Sequence, residues 1–127
     1  MAFVYYNPNP DRKTVGDCTV RAISIAMDMS WDDVHADLCM VSHYLHDMPS
    51  SNAVWGEYLY LNGFRRHTIP NTCPACYSIR QFARDYPVGT FVLATGSHVV
   101  TVVDGDYYDT WDSGSEIPIY YWRKEIW

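Results

Sequence analysis

The chain has no apolar stretch approaching the roughly 20 residues that span a bilayer, so no transmembrane helix is expected. Basic charge is scarce: nine Lys and Arg stand against fifteen Asp and Glu, a net charge of −6. Nucleic-acid binders normally carry a basic patch, and that shortage argues against such a partner. The opening MAFVYYNPNPDRK is too short in apolar run and too polar for a secretory signal. The expected compartment is therefore the cytoplasm. No repeat, linker or low-complexity segment divides the 127 residues. A single domain, 1–127, is expected, burying about two-thirds of its unfolded surface.

A second CxxC motif is also missing, as is a thioredoxin-like βαβ pattern. In a reducing compartment Cys18, Cys39, Cys73 and Cys76 read as thiols, metal ligands or catalytic groups rather than disulfides. Cys73-Pro-Ala-Cys76 reads as incidental loop thiols, with zinc shared among distant ligands as the alternative. His35, Cys39 and His43 fall on one helix face with His46 nearby. An amphipathic flank is the favoured reading there, because a helical metal site wants carboxylates or a matching partner segment.

What is present is a large apolar and aromatic complement, 48% hydrophobic with eleven tyrosines and five tryptophans. The N-P-N-P stretch and Gly16-Asp17 mark residues 1–17 as irregular. A first helix is expected over about 18–29, where apolar residues from Ala22 to Met29 wrap most of the circumference, so it should be central. Ser30, with Asp33 three residues on, starts a second helix. Its core stripe is Trp31, Val34, Leu38, Val41, Leu45 and Met48, and Pro49 ends it. A third helix begins at Ser51 or Asn52 and stops at Asn62-Gly63. A short strand over 64–69 and a fourth helix over about 78–85 follow. Segments 90–94, 98–103, 106–111 and 117–122 then read as an antiparallel meander. Helices first and sheet last give an α+β fold.

Cys18 opens the first helix, where unpaired N–H groups and the macrodipole favour a thiolate. The alternative is a small buried core cysteine. His98 opens a valine-rich strand and can serve as base to a thiol, with a carboxylate behind it to set the imidazole tautomer. Asp104-Gly105 is a strong two-residue hairpin signal. In that register Val103 faces Asp106, His98 lies opposite Trp111, and Asp109 lies opposite Val100, diagonal to His98. A three-residue loop would instead put Asp112 opposite His98. Asp109 is the first choice for the acid and Asp112 the second. Arg21, one turn after Cys18, calls for a carboxylate such as Asp17 or Asp28, or lines the groove. Trp111 is placed to shield the His–Asp contact from water.

The segments GDCTVRAISIA (16–26), GSHVVTVVDG (96–105) and YYDTWDSG (107–114) resemble the small papain-like cysteine peptidases related to the bacteriocin-processing C39 group. Those occur as single domains in bacterial and phage genomes. Asp109-Thr-Trp is similar to the Asn-Ser-Trp that carries the third catalytic residue of papain. The resemblance implies a papain-like fold, N-terminal helices packed on a C-terminal antiparallel sheet, and a thiol protease. In it Cys18 is nucleophile, His98 general base and acid, and Asp109 orienter of a catalytic triad. It implies a peptide or protein substrate and no cofactor or metal. Two other uses of the same cleft stand beside it: a transglutaminase-like acyl transfer, and an inactive papain-like module that binds a partner protein. One feature departs from the family. Its members carry a glutamine about six residues before the cysteine, whereas Asp11-Arg12-Lys13-Thr14 holds no amide. Asn9 and Thr14 are the candidate replacements as oxyanion partners.

Overall fold

A computed structural model describes residues 2–127. The described residues form, in order, β1 (Phe3–Tyr5), α1 (Cys18–Met27), α2 (Trp31–Leu45), α3 (Asn52–Leu61) and β2 (Phe64–Thr68). These are followed by α4 (Ile79–Asp85), β3 (Thr90–Ala94), β4 (Val99–Val103), β5 (Asp106–Asp109) and β6 (Tyr120–Lys124). The fold is α+β, with one six-stranded sheet in the order β1-β5-β4-β3-β6-β2. No helix among the described residues is long and apolar enough to cross a membrane.

Side chains alternate between the two faces of a strand, and the sheet uses both faces. Val92, Ala94 and Val99 join Ile23, Val34, Leu38, Trp55 and Leu59 in one core beneath α1, α2 and α3. Phe91, Leu93, Val100 and Val102 join Ile79, Phe82 and Ala83 of α4 in a second core on the opposite face. With both faces covered, β3 and β4 read as continuous apolar runs.

Local signals set most helix ends. The Ser30 hydroxyl accepts from the Asp33 N–H at 3.1 Å, Ser51 caps α3, and Ser78 with Gln81 forms a capping box on α4. Gly63 follows α3 at φ 89°, and its carbonyl accepts from the Glu125 and Ile126 N–H groups at 2.9 Å. A Cβ there would come within 2.2 Å of the Ile126 carbonyl oxygen, which leaves glycine as the residue that fits.

Several sequence expectations are corrected. Residues 3–5 are a strand, not irregular chain: β1 runs parallel to β5, with Phe3 opposite Tyr107 and Tyr5 opposite Asp109. Three residues carry no readable period, and it is long-range pairing that makes them a strand. Of the four C-terminal strands only β3, β4 and β5 form the expected antiparallel meander, and the sheet is mixed rather than wholly antiparallel. β6 crosses over to pair with β3, placing Leu93 opposite Tyr121, while β2 adds itself to the far edge of β6. The first and second helices also stop early, because Asp28 and His46 adopt left-handed backbone at φ 52° and 55°. The N–H groups of Met29 and Asp47 then turn back to the Ser24 and Ser42 carbonyls, closing each helix by chain reversal. The α2 stripe thus ends before Leu45 and Met48, which are exposed. Beyond Val41 that helix has outrun the core.

The loop before α4 gives a further correction. Cys73 and Cys76 are joined by a disulfide rather than standing as free thiols. The Cys73 N–H donates to Asn71 Oδ1 at 3.0 Å and the Thr72 hydroxyl donates to the Ala75 carbonyl at 2.7 Å. That turn brings the two Cα atoms to 4.2 Å. Sequence spacing alone does not show how tightly the turn closes. Among the described residues, no group of three or more His, Cys, Asp or Glu side chains could hold a metal ion.

Candidate active site

The β4–β5 hairpin pairs Val103 with Asp106, Val102 with Tyr107 and Thr101 with Tyr108, the register in which Asp104-Gly105 form the turn. Asp104 and Gly105 both take positive φ, 48° and 84°, as that tight turn demands. His98, just before β4, and Asp109, the last residue of β5, are therefore brought to the same end of the hairpin. His98 Nε2 and Asp109 Oδ2 are 2.6 Å apart. Asp112 lies elsewhere: it accepts from the Tyr107 hydroxyl at 2.6 Å and the Gly114 N–H at 3.0 Å, bracing the 110–114 turn.

The first turn of α1 arrives at the same place. It crosses β4, where the Thr101 hydroxyl donates to the Ala22 carbonyl at 2.6 Å. Asp17 stands at the N-cap, yet its side chain caps nothing. Its carboxylate instead accepts from Arg21 Nη1 at 2.6 Å and from Trp31 Nε1 at 2.9 Å. The N–H groups of the first turn are therefore left without a side-chain cap, beside the half-buried Cys18. Cys18, His98 and Val99 line one cleft, and the His98 ring and the Val99 N–H are the groups that act on the thiol. His98 Nε2 is committed to Asp109, so Nδ1 is the ring nitrogen left for the thiol.

Asp109 is fully buried and accepts four hydrogen bonds. Oδ1 receives Arg21 Nη2 at 3.0 Å and the Thr110 N–H at 2.8 Å. Oδ2 receives His98 and the Ser113 hydroxyl, at 2.6 and 2.7 Å. Arg21 thus bridges Asp17 and Asp109 and does not use Asp28. Ser113 is a site residue that the sequence does not mark. A serine four residues past an aspartate carries no pattern that would single it out.

The electrostatics oppose burial at each centre. Burial pushes the Cys18 thiol up, but hydrogen bonds from His98 and the Val99 N–H, with the charges of His98 and Arg21, bring it below its ordinary value. Burial pushes His98 down, but its bonds to Asp109 and Cys18, and their charges, raise it to about 9. Burial pushes Asp109 up, but bonds from His98 and Ser113, the imidazolium charge and the Thr110 N–H hold it below the usual carboxylate range. A lowered thiol beside a raised imidazole favours the thiolate–imidazolium pair at neutral pH.

The opening beside this pair is a cleft of about 250 Å³ lined by Cys18, Thr19, Asn52, Trp55, Ser97 and His98 among others. Neither oxyanion candidate from the sequence lines it. Asn9 Oδ1 accepts from the Asp11 and Lys13 N–H groups at 2.9 and 3.3 Å, organising its own loop, and Thr14 is exposed. The Trp111 ring, itself exposed, packs beside the imidazole with centroids 5.1 Å apart and planes tilted by 39°. On α2, His35 stacks on Trp31, and its ring lies 3.8 Å from the exposed Cys39 sulfur.

No known family model, curated protein or solved structure matches the chain. The constellation is a thiol at a helix N-terminus, an imidazole just before a strand, and a buried carboxylate behind it. Such an arrangement is suited to acyl transfer through sulfur.

Its pH dependence follows from the directions above. His98 is raised above its ordinary value of about 6.5, so the stability from its charged form is complete below that value. It fades as pH rises through about 9. The His98 imidazole is expected to titrate near pH 9 in an NMR pH series, and a midpoint near 6.5 would contradict the ion-paired state.

Proposed function

We propose that this chain is a papain-like, C39-like cysteine hydrolase that cleaves a peptide or isopeptide bond through an acyl-thioester. The observation that carries the reading is that Cys18 and His98 line one cleft, with His98 Nε2 2.6 Å from the buried Asp109 carboxylate. In this reading the Cys18 thiolate attacks the substrate carbonyl, forming a C–S bond and an oxyanion. The oxyanion collapses as the C–N bond breaks, and the proton on His98 Nδ1 passes to the leaving amine. Water then attacks the thioester, giving its proton to His98, and the acid departs as the thiolate is restored. Asp109 holds the ring in one tautomer and stabilises its charge. Arg21, Ser113 and the Thr110 N–H hold Asp109 in turn.

The surroundings fit an extended substrate. At Asn52 the cleft adjoins a groove of about 450 Å³ walled by Tyr60, Arg66, Tyr120 and Trp122. Through Gly16, Thr19 and Ser50 it adjoins a pocket of about 350 Å³ walled by Val15, Val20, Trp31 and Pro49. A polypeptide would have surface to bind on both sides of the thiol.

The test is acylation with an activated ester such as p-nitrophenyl acetate, followed by intact mass and peptide mapping. The expected result is a burst, a single acetyl group on Cys18 ahead of Cys39, and discharge to free acetate. Added amine should not divert the acyl group; its capture would favour a transferase. Equal modification of Cys18 and Cys39, with no turnover, would favour a binding module.

A further inference from the structure

A tetrahedral intermediate at Cys18 places a negative charge on the former carbonyl oxygen, and hydrolysis through sulfur is slow unless fixed donors meet that charge. The Cys18 N–H, at the uncapped start of α1, supplies one donor. The second is not where the sequence directs attention, since residues 11–14 hold no amide and Asn9 is occupied in its own loop.

We propose that the side-chain amide of Asn52 is the second oxyanion donor, reaching into the cleft from α3 rather than from the chain preceding the nucleophile. This rests on the hydrolase reading above. Asn52 is the first residue of α3 and lines the same cleft as Cys18 and His98. Its Oδ1 accepts from Trp55 Nε1 at 3.0 Å, one helical turn on. Trp55 is itself buried, 1% exposed, and stacked on Tyr120 with centroids 6.2 Å apart.

The acceptor end of the amide is thus tied to the core. A planar amide held by its oxygen presents its NH₂ on the other side, and Nδ2 has no protein partner among the described residues. Of the hydroxyls lining the cleft, that of Thr95 is spent on the His98 carbonyl at 3.4 Å and accepts from the Ser97 N–H at 3.2 Å, while those of Thr19, Ser50 and Ser97 have no fixed partner among the described residues. Asn52, exposed at the mouth of the cleft, offers a side-chain amide donor whose direction is set before substrate arrives, and that preorganisation is what makes an oxyanion donor effective.

The experiment compares wild type with Asn52→Ala and Asn52→Asp in three assays. These are hydrolysis of a peptidyl ester, affinity for a peptide aldehyde that forms a hemithioacetal at Cys18, and alkylation by iodoacetamide. Alkylation displaces iodide and builds no oxyanion, so it reports the thiolate alone. Asn52→Asp keeps the acceptor for Trp55 and guards against loss of fold, while Asn52→Ala adds no charge beside the thiolate.

The expected result is a fall in kcat of about 10²–10³ in both variants with KM little changed. Aldehyde affinity should weaken in parallel, and alkylation of Asn52→Ala should proceed at the wild-type rate. Two results overturn the proposal: kcat within a few-fold of wild type in both variants, or alkylation of Asn52→Ala falling as far as hydrolysis does. A wild-type protein that neither turns over the ester nor binds the aldehyde overturns the hydrolase reading and this inference together, which separates the two failures.

Discussion

Asp109→Ala is expected to destabilise the protein by about 3–5 kcal/mol, the usual cost of removing one partner from a buried ion pair. Asp109 is fully buried, and its carboxylate accepts from Arg21, His98, Ser113 and the Thr110 N–H. Alanine would leave Arg21, itself 5% exposed, with Asp17 as its remaining carboxylate, and would leave the Ser113 hydroxyl without its acceptor. Arg21 Nη2 would lose its carboxylate and face a cavity bordered by the Ser113 hydroxyl and the His98 ring. At this chain length the melting temperature should fall by roughly 10–20 °C. Chemical denaturation with an unchanged m-value checks it, and a loss under about 1 kcal/mol would show that water can replace the carboxylate. Asp109→Asn keeps the shape and removes the charge. His98 should then titrate below about 9 in the same NMR pH series.

Acidification acts on the same group from the other side. Asp109 sits below the usual carboxylate range, so its contribution to stability is complete above that range. It is lost as pH falls through the folded-state value.

His98→Ala is expected to lower turnover by about 10³–10⁴ and to cost less stability than Asp109→Ala. A positioned acid–base group contributes typically about 10²–10⁴, and here the same ring also holds the thiol as thiolate. Cys18→Ala should remove covalent turnover altogether. The fold should tolerate His98→Ala because Asp109 retains Arg21, Ser113 and the Thr110 N–H. The double variant should be no worse than Cys18→Ala, since groups acting as one unit are not additive. Steady-state rates with matched melting curves check both, and a His98→Ala protein of near wild-type rate would sink the triad. The two positions therefore separate: loss at 109 falls first on the fold, and loss at 98 falls on the chemistry.

Much of the candidate site was legible because local rules produce it. The Asp104-Gly105 turn sets the hairpin register, and the register brings residues 98 and 109 to one end. A helix beginning at residue 18 follows from the apolar run behind it. What the sequence concealed lies in contacts without a spacing rule. Arg21 spans two carboxylates, one of them 88 positions away. Ser113 reaches back across a turn. Asn52, read as a helix start, lines the cleft only because α3 packs beside α1.

Hydrophobic period, capping residues and turn chemistry act over a few neighbours, and so the chain by itself determined the helices, the apolar strands and the hairpin. Strand order was decided elsewhere. β6 pairs with β3 rather than β5, and three N-terminal residues pair with β5, because the free N–H and C=O groups of a strand edge accept a partner from anywhere in the chain. Tertiary structure alone also decided which polar groups share one buried carboxylate, since a charge out of water takes whatever donors the packed chain brings to it.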